Sequence, residues 1–182
     1  MIDIDAILLE KFNVKRRFVE VNDAEFILSL RTNQHLGRFL SKTDDNVANQ
    51  IKWIEAYKVR EKNNLEFYFI FDNLEGEKYG VSRIYNLDEK SFEIGSWLFS
   101  QNSPLGVSVL ADLTTRDFAF EKFKFNYCRF EVRKENLSVV NYHKRFNPEL
   151  INEDELNYYF KLTKDKYYLF REKLIKLYKR GN

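Results

Sequence analysis

The segment SFEIGSWLFSQNSPLGVSVLADLTTRDFAFEKFKFNYCRFEVR, residues 91–133, decides the fold. Residues 91–99 are typical of a strand, and apolar residues recur at helical spacing from Val107 to about Lys124. Residues 127–133 are again typical of a strand. Because a helical crossover of this length lets two strands pair in parallel, the segment predicts a strand–helix–strand unit. We therefore expect an α/β (α+β) protein with a central mixed, mostly antiparallel sheet and helices on both faces.

The rest of the chain adds strand and helix patterns around this unit. An aromatic and β-branched run at residues 65–72, bounded by asparagines, predicts a buried strand. Asp23 and the polar segment 44–46 supply N-cap residues for two helices. The other predicted elements are strands at 14–21, 79–86 and 156–162, helices at 24–33 and from 47 onward, a helix at 137–146, and a terminal helix at 164–179.

Length and composition predict one domain, residues 1–182, in which residues 164–182 form a C-terminal amphipathic helix. No repeat or linker-like tract divides it. Apolar residues make up 44% and charged residues 32%, which excludes wholesale disorder. No run approaches the ~18 apolar residues of a membrane span. Asp3 and Asp5 stand where a signal peptide would be basic, so we expect a cytoplasmic protein.

The cysteine, histidine and charge content argues against several classes of protein. The single cysteine, Cys128, cannot form an internal disulfide. With only His35 and His143 beside it, there is no ligand set for a zinc site, so we expect no metal. A net charge of +2 gives no basic stripe, so we expect no nucleic-acid partner.

Residues 14–162 resemble the GNAT superfamily of acetyl-CoA-dependent N-acetyltransferases in four segments. One of them, KYGVSRIYNLD (residues 78–88), is similar to the family's third strand but is equally well explained as a generic hairpin strand, so the resemblance depends on the other three. The first, FEIGSWLF (residues 92–99), is similar to the family's fourth strand. Glu93 stands where many members carry a carboxylate near the acceptor amine, and the resemblance implies that it accepts the amine's proton. Without the resemblance, Glu93 is equally well explained as an exposed strand carboxylate.

In this family the fourth strand bulges and splays away from its parallel neighbour, the fifth strand. Residues 95–97 match the position of the bulge. The resemblance implies a splay between the fourth and fifth strands, with backbone N–H groups near Leu98 and Phe99 that polarise the thioester carbonyl.

The second segment, SPLGVS (residues 103–108), resembles the family's pyrophosphate-binding loop. Gly106 is kept, whereas Ser103 and Ser108 replace the usual Gln or Arg and the second small residue. Free N–H groups at a helix N-terminus can bind a diphosphate without a particular side chain. The resemblance therefore implies that the CoA pyrophosphate is held by Ser103, Leu105, Gly106, Val107, Ser108 and Val109.

The third segment, FEVRKENLSVVNYHKRFN, resembles the fifth strand and the helix that follows it. Asn136 matches a family Asn that contributes to the CoA site. His143 falls where a family Tyr protonates the departing thiolate, and Tyr142 lies one residue earlier. Because an imidazole or a phenol can donate that proton, both stay candidates. Asn147 stands at a family Gly position, where it can adopt a left-handed C-cap.

The N-terminal half is similar to amino-sugar N-acetyltransferases of bacterial surface-polysaccharide pathways, which act on nucleotide-linked amino-dideoxy sugars. The resemblance implies a small-molecule amine acceptor, with acetyl-CoA as donor and no metal. Without the resemblance, the same residues form a solvated polar loop. The expected acceptor-binding residues are Arg31, His35, Arg38, Lys42, Thr43 and Arg83.

Two other functions stay open. The FEIGSW segment also suits an enzyme that acetylates a protein N-terminus of the ribosomal-protein type. Alternatively, the chain is a non-catalytic interaction module that keeps only the fold. Its basic terminal helix, with Tyr167, Phe170, Leu174 and Leu177 predicted on one stripe, either caps the core or packs against another subunit, and a homodimer is possible.

Overall fold

The structure, a computed structural model, describes residues 3–180. Within that range it contains seven strands, six α-helices and one 3₁₀ turn, and no helix is long and apolar enough to cross a membrane. The elements are α1 (Ile4–Phe12), β1 (Val14–Phe18), the 3₁₀ turn (Val21–Asp23), α2 (Ala24–Thr32), α3 (Val47–Lys62), β2 (Phe67–Asn73), β3 (Lys78–Tyr85), β4 (Ser91–Phe99), α4 (Val107–Phe123), β5 (Tyr127–Arg133), α5 (Leu137–Lys144), β6 (Glu149–Glu153), β7 (Asn157–Thr163) and α6 (Lys164–Arg180).

The strands form one sheet in the order β1-β2-β3-β4-β5-β7-β6. The β1–β2, β2–β3, β5–β7 and β6–β7 pairs are antiparallel, whereas β4 and β5 are parallel. The parallel register pairs residues 91–93 with residues 127–129 and ends there, although β4 continues to Phe99. The predicted mixed sheet, splayed after a short contact between the fourth and fifth strands, is confirmed.

The chain divides into two compact units. The N-terminal unit comprises residues up to 86 together with 94–118, and the C-terminal unit comprises residues 87–93 and 119 onward. Each unit has its own buried core, described separately below. The expectation of one domain over residues 1–182 stays a prediction.

The core of the N-terminal unit lies between α2, α3 and the sheet. All seven residues of β2 are buried, which the aromatic run predicted. Trp53 stacks on Tyr57, and both meet Tyr68 of β2 edge-on at about 6 Å between ring centroids. Aromatic pairs in this geometry stabilise the packing beyond their buried area. The other buried members of this core are Val19, Ala24, Ile27, Leu30, Ile54, Ile70, Val81 and Leu98.

The C-terminal unit has an aromatic core. The ring centroids of Phe92 and Phe120 are 5.1 Å apart, and those of Phe120 and Tyr167 of α6 are 5.2 Å apart. Of the predicted apolar stripe of α6, Tyr167 is buried and Phe170 and Leu174 are half-buried, whereas the prediction is wrong for Leu177, which is 65% exposed. The helix buries Tyr167, Arg171 and Ile175, which are spaced one turn apart. The buried face includes an arginine, Arg171, which a hydrophobic pattern does not mark.

Two elements escape the sequence prediction. Helix α1 begins at an N-cap, Asp3, whose carboxylate accepts from the N–H groups of Asp5 and Ala6. Strand β6 is exposed at all five positions, so it has none of the polar–apolar alternation that marks a half-buried strand. Its pairing with β7 defines it instead.

Asp23 is fully buried at the start of α2, yet its side chain makes no cap hydrogen bond to that helix. Its carboxylate binds Arg17 of β1 at 2.7 Å and Lys78 of β3 at 2.7 Å, and accepts from the Glu20 N–H. Although burial favours the neutral acid, hydrogen bonds from Arg17 and Lys78 lower the pKa of Asp23 to about 2. The Asp23 carboxylate therefore forms ion pairs with residues of two strands, β1 and β3.

The depressed pKa predicts a pH-dependent stability. The stabilisation from Asp23 is present above its ordinary pKa of 3.8 and is lost as the pH falls through about 2. The lowered pKa corresponds to about 2 to 3 kcal/mol of stabilisation at neutral pH. In urea unfolding, Asp23→Asn should therefore be less stable than the wild type at pH 7 and lose less stability between pH 4 and pH 2. Asp45→Asn, at an exposed carboxylate, serves as control; equal slopes for wild type and Asp23→Asn would contradict the assignment.

Candidate functional site

A cavity of about 280 Å³ lies within the N-terminal unit, bounded by α2, α3, β2, β3, β4 and the loop between α2 and α3. Its wall mixes cationic, aromatic and hydroxyl side chains. Among the described residues that line it, three carry a positive charge and none carries a carboxylate. The lining residues are Ile27, Arg31, Ser41, Lys42, Thr43, Gln50, Trp53, Tyr68, Arg83 and Ser96.

Arg31 connects α2 to the loop at the mouth of this cavity. Its Nε donates to Thr43 Oγ1 at 2.6 Å, and a terminal NH₂ group donates to Ser41 Oγ at 3.2 Å. Gly37 makes the loop path possible, since a Cβ there would collide with the Arg31 carbonyl oxygen. Lys42 is exposed at the rim. Two of the predicted acceptor-binding cations and Thr43 therefore lie together.

A buried carboxylate holds the third cation, Arg83, in place. Glu66 is 3% exposed, and its oxygens accept from Arg83 Nε at 2.6 Å and from Arg60 Nε at 2.7 Å. The Arg83 guanidinium also lies 4.9 Å from the Trp53 ring and 4.7 Å from the Tyr85 ring. Because Arg83 Nε donates to Glu66, the terminal NH₂ groups of Arg83 can donate hydrogen bonds to a ligand in the cavity.

Tyr68 forms a buried wall of the cavity close to Ser96. The Tyr57 hydroxyl accepts from the Tyr68 backbone N–H at 2.9 Å and also contacts the Glu61 carboxylate, which fixes this part of β2. Burial raises the pKa of Tyr68 to about 12, although Arg31 and Arg83 act in the opposite direction. The phenol therefore stays protonated at neutral pH and can donate a hydrogen bond to a ligand.

Strand β4 changes direction where it reaches the cavity. Ser96 adopts φ +48°, in the left-handed region, inside the strand. A non-glycine residue in this conformation is typical of a bulge, which is predicted for residues 95–97. The neighbouring Gly95 lies against Tyr85, whose hydroxyl would be 3.0 Å from an added Cβ. The turn of the backbone therefore places Ser96 in the cavity wall.

Residues 103–106 form a turn directly before α4, and residues 107–108 begin that helix. Gly106 has φ +99°, and the Val107 N–H donates to the Pro104 carbonyl at 3.1 Å. The N–H groups of Ser108 and Val109 lie in the first turn of α4, a position at which helical N–H groups generally have no partner within the helix. Leu105 is 98% exposed at the tip of the turn. This arrangement fits an anion at the helix N-terminus.

Glu93 lies in the C-terminal unit at the last position of the parallel ladder, opposite Arg129. An Arg129 NH₂ group is 3.6 Å from Glu93 and 3.2 Å from Asp88. The Glu93 side chain remains 31% exposed. The carboxylate is therefore oriented by a cation and is still accessible to solvent.

His143 and Tyr142 occupy different environments on α5. His143 is 6% exposed, and its ring lies 4.5 Å from Phe130 of β5. Tyr142 is half-buried and meets Phe146 edge-on. Asn147 has φ +52°, the predicted left-handed conformation after the helix. Asn136 occupies the N-cap position of α5 without a side-chain cap hydrogen bond.

Two predicted acceptor-binding residues lie outside the cavity wall. His35 and Arg38 are exposed, and the Arg38 guanidinium lies over its neighbour Phe39. The prediction missed six residues of the wall. Five of them stand in helices or strands whose pattern was explained by the core alone, and Ser41 stands in a polar loop that gives no pattern. The six residues are Ile27, Ser41, Gln50, Trp53, Tyr68 and Ser96.

Comparison with known proteins identifies the family. The family model of the acetyltransferase (GNAT) domain matches residues 16–147. The structure is similar to apo FdhC, described as a nucleotide-linked sugar GNAT, with 34% identity, TM-score 0.80, and coverage of 90% of this chain and 93% of that chain. The chain therefore belongs to the GNAT acetyltransferase family, whose members use acetyl-CoA as donor.

Two more distant structures share the fold. The ribosomal-protein-S5-alanine acetyltransferase from Vibrio fischeri has 17% identity and TM-score 0.72, covering 85% of this chain and 95% of that chain. The spermidine N-acetyltransferase from Vibrio cholerae, in complex with CoA and spermine, has 15% identity and TM-score 0.72, covering 87% and 99%. No curated protein matches the chain.

A substitution at Gly106, in the turn before α4, tests whether this turn binds the acetyl donor. At φ +99° an L-residue is strained, so Gly106→Ala should displace the turn and weaken acetyl-CoA binding about tenfold by calorimetry. Gly76→Ala is the matched control, since Gly76 has φ +90° and open space around it. Both variants carry backbone strain, and only Gly106→Ala should lose affinity. Equal affinity for both variants would contradict a donor-binding role for the turn.

Proposed function

We propose that this acetyltransferase moves the acetyl group of acetyl-CoA to the amino group of a nucleotide-linked amino-dideoxy sugar, in the cytoplasmic synthesis of surface polysaccharide. The 34% identity to FdhC over nine-tenths of the chain supports this acceptor class. The distant relatives named for a ribosomal protein and for spermidine support the fold alone.

The observation that carries the proposal is the charge of the cavity wall. Arg31, Lys42 and Arg83 line it, and no carboxylate lines it among the described residues. Arginine forks pair well with phosphate oxygens. A polyamine or a basic peptide would instead be repelled by three cations. The wall therefore favours an acceptor whose amino sugar is linked to a negatively charged diphosphate.

The donor side is proposed to use residues 103–108 and Asn136. The backbone N–H groups of Ser108 and Val109 and the close approach permitted by Gly106 suit the pyrophosphate of acetyl-CoA. Ser103 Oγ already donates to the Ser100 carbonyl at 2.8 Å, so it stabilises the turn. The thioester supplies an activated acyl group, which makes a metal or a covalent enzyme nucleophile unnecessary.

Proton transfer is assigned to groups on β4 and α5. An ammonium group must lose a proton before it can attack, and Glu93, directly or through water, accepts it. Backbone N–H groups near Leu98 and Phe99 stabilise the negative charge that develops on the acyl oxygen. His143 or Tyr142 then returns a proton to the leaving thiolate. The buried Cys128 takes no part.

The acceptor assignment predicts turnover that depends on Arg83. With acetyl-CoA saturating and thiol release as the readout, nucleotide-linked amino sugars should be acetylated, and spermidine and N-terminal peptides should not. Arg83→Met should raise KM for the sugar about tenfold or more, because a desolvated charge-assisted bond is lost. Lys52→Met, at an exposed lysine of α3 outside the wall, should match the wild type. Preferred turnover of spermidine or a peptide would overturn the acceptor assignment.

The base assignment predicts a loss of kcat on amide substitution. Glu93→Gln should lower kcat by roughly a hundredfold or more and flatten the acidic limb of the pH–rate profile. Asp88→Asn is the matched control, since Asp88 is the other carboxylate on Arg129. If both variants lose activity equally, pairing with Arg129 and not proton abstraction explains the effect.

The same assay separates the two candidate acids. His143→Phe and Tyr142→Phe each remove one proton donor while keeping a ring, which matters because His143 packs on Phe130 and Tyr142 on Phe146. The variant that lacks the true proton donor should have a lower kcat, with its affinity for acetyl-CoA unchanged. If neither variant loses kcat, a different group or water protonates the thiolate.

A further inference from the structure

One polar side chain of the cavity wall is not explained by the fold. Gln50 is 9% exposed and lines the cavity. Its backbone N–H donates to the Asn46 carbonyl in the first turn of α3. Among residues 3–180, no group lies within hydrogen-bonding geometry of its side-chain amide. The amide atoms are reached by solvent through the open cavity, so the fold neither encloses nor pairs them and the amide is available to a ligand.

The other buried or anchored polar groups of the wall are already engaged. Arg31 is bound to Ser41 and Thr43, and Arg83 is bound to Glu66. The start of α3 is also fixed, because the Asn46 side chain accepts from the Asn49 N–H and Asn49 binds Asp44. Gln50 is therefore held in position by the helix while its amide remains open to a ligand.

The chemistry of the amide indicates what it binds. Arg31, Lys42 and Arg83 offer donors only, and they suit the anionic part of a ligand. An amide offers an acceptor, Oε1, beside two N–H donors. A phosphate has no hydrogen to give to Oε1, whereas a sugar hydroxyl can donate to Oε1 and accept from Nε2.

We propose that Gln50 is a specificity-determining residue that recognises a hydroxyl on the sugar ring of the acceptor; this rests on the proposed amino-sugar function. The cations select the charged carrier, and Gln50 selects among rings that differ by one hydroxyl. A site built to pair with a hydroxyl rejects the analogue that lacks it, because its own polar group is then left buried and unpaired.

The decisive variant is Gln50→Met, which keeps an unbranched side chain of similar length and removes the amide. With the amino sugar that the wild type acetylates best, kcat/KM should fall about tenfold or more. With the analogue that lacks the recognised hydroxyl, found by testing each monodeoxy derivative, wild type and variant should be equal. Gln34→Met, at an exposed glutamine outside the wall, is the matched control and should behave as wild type throughout.

Thermal stability gives a readout that does not depend on the acceptor. If the amide serves a ligand, the melting temperature of Gln50→Met should equal that of the wild type, because the substitution removes no hydrogen bond within the described fold. A marked fall relative to Gln34→Met would show a structural role and overturn the proposal. An equal loss of kcat/KM on every monodeoxy analogue would overturn it too. If no amino sugar is acetylated at all, the proposed function fails, and the melting temperatures still decide whether the fold needs this amide.

Discussion

A buried carboxylate governs the geometry of the candidate acceptor site. Glu66 holds Arg60 and Arg83 through separate oxygens, and Arg83 in turn lies between the rings of Trp53 and Tyr85. Tyr85 then lies against Gly95, directly before the left-handed Ser96. One carboxylate therefore orders a cation, two aromatic rings and the bend of a strand. Removing one partner of the Glu66–Arg83 pair would leave a buried charge uncompensated, so a change at either residue should disturb the neighbouring rings and strand as well.

Local sequence patterns predicted most of the fold where burial repeats regularly. The strands at 91–99 and 127–133 match the structure at both ends, and their parallel pairing follows from the crossover between them. The fully exposed β6 left no such pattern, since only its pairing with β7 makes it a strand. Asp23 illustrates a subtler limit: its position before α2 was correct, whereas its hydrogen bonds go to Arg17 and Lys78, which no local rule could indicate.

The candidate site was predictable only where charge or family resemblance marked a residue. Cations of the loop and of β3 do meet in one cavity. The sequence did not predict Gln50 as a site residue, because an amide in an amphipathic helix is ordinarily solvated. Its burial depends on residues that are distant in the sequence. Residues exposed in the same loop, His35 and Arg38, looked equally suitable as sequence. Tertiary contacts, which a single sequence does not display, separate these cases.

The two tryptophans of the chain occupy two different parts of the molecule. Trp53 is part of the cavity wall, under the guanidinium groups of Arg60 and Arg83. Trp97 donates its indole N–H to the Ser108 carbonyl at 2.9 Å, in the first turn of α4. Each indole therefore senses a different polar environment, so the protein carries an intrinsic fluorophore beside the candidate acceptor cavity and another beside the turn proposed to bind the donor. Single Trp→Phe variants would resolve the two binding events optically, without an attached dye.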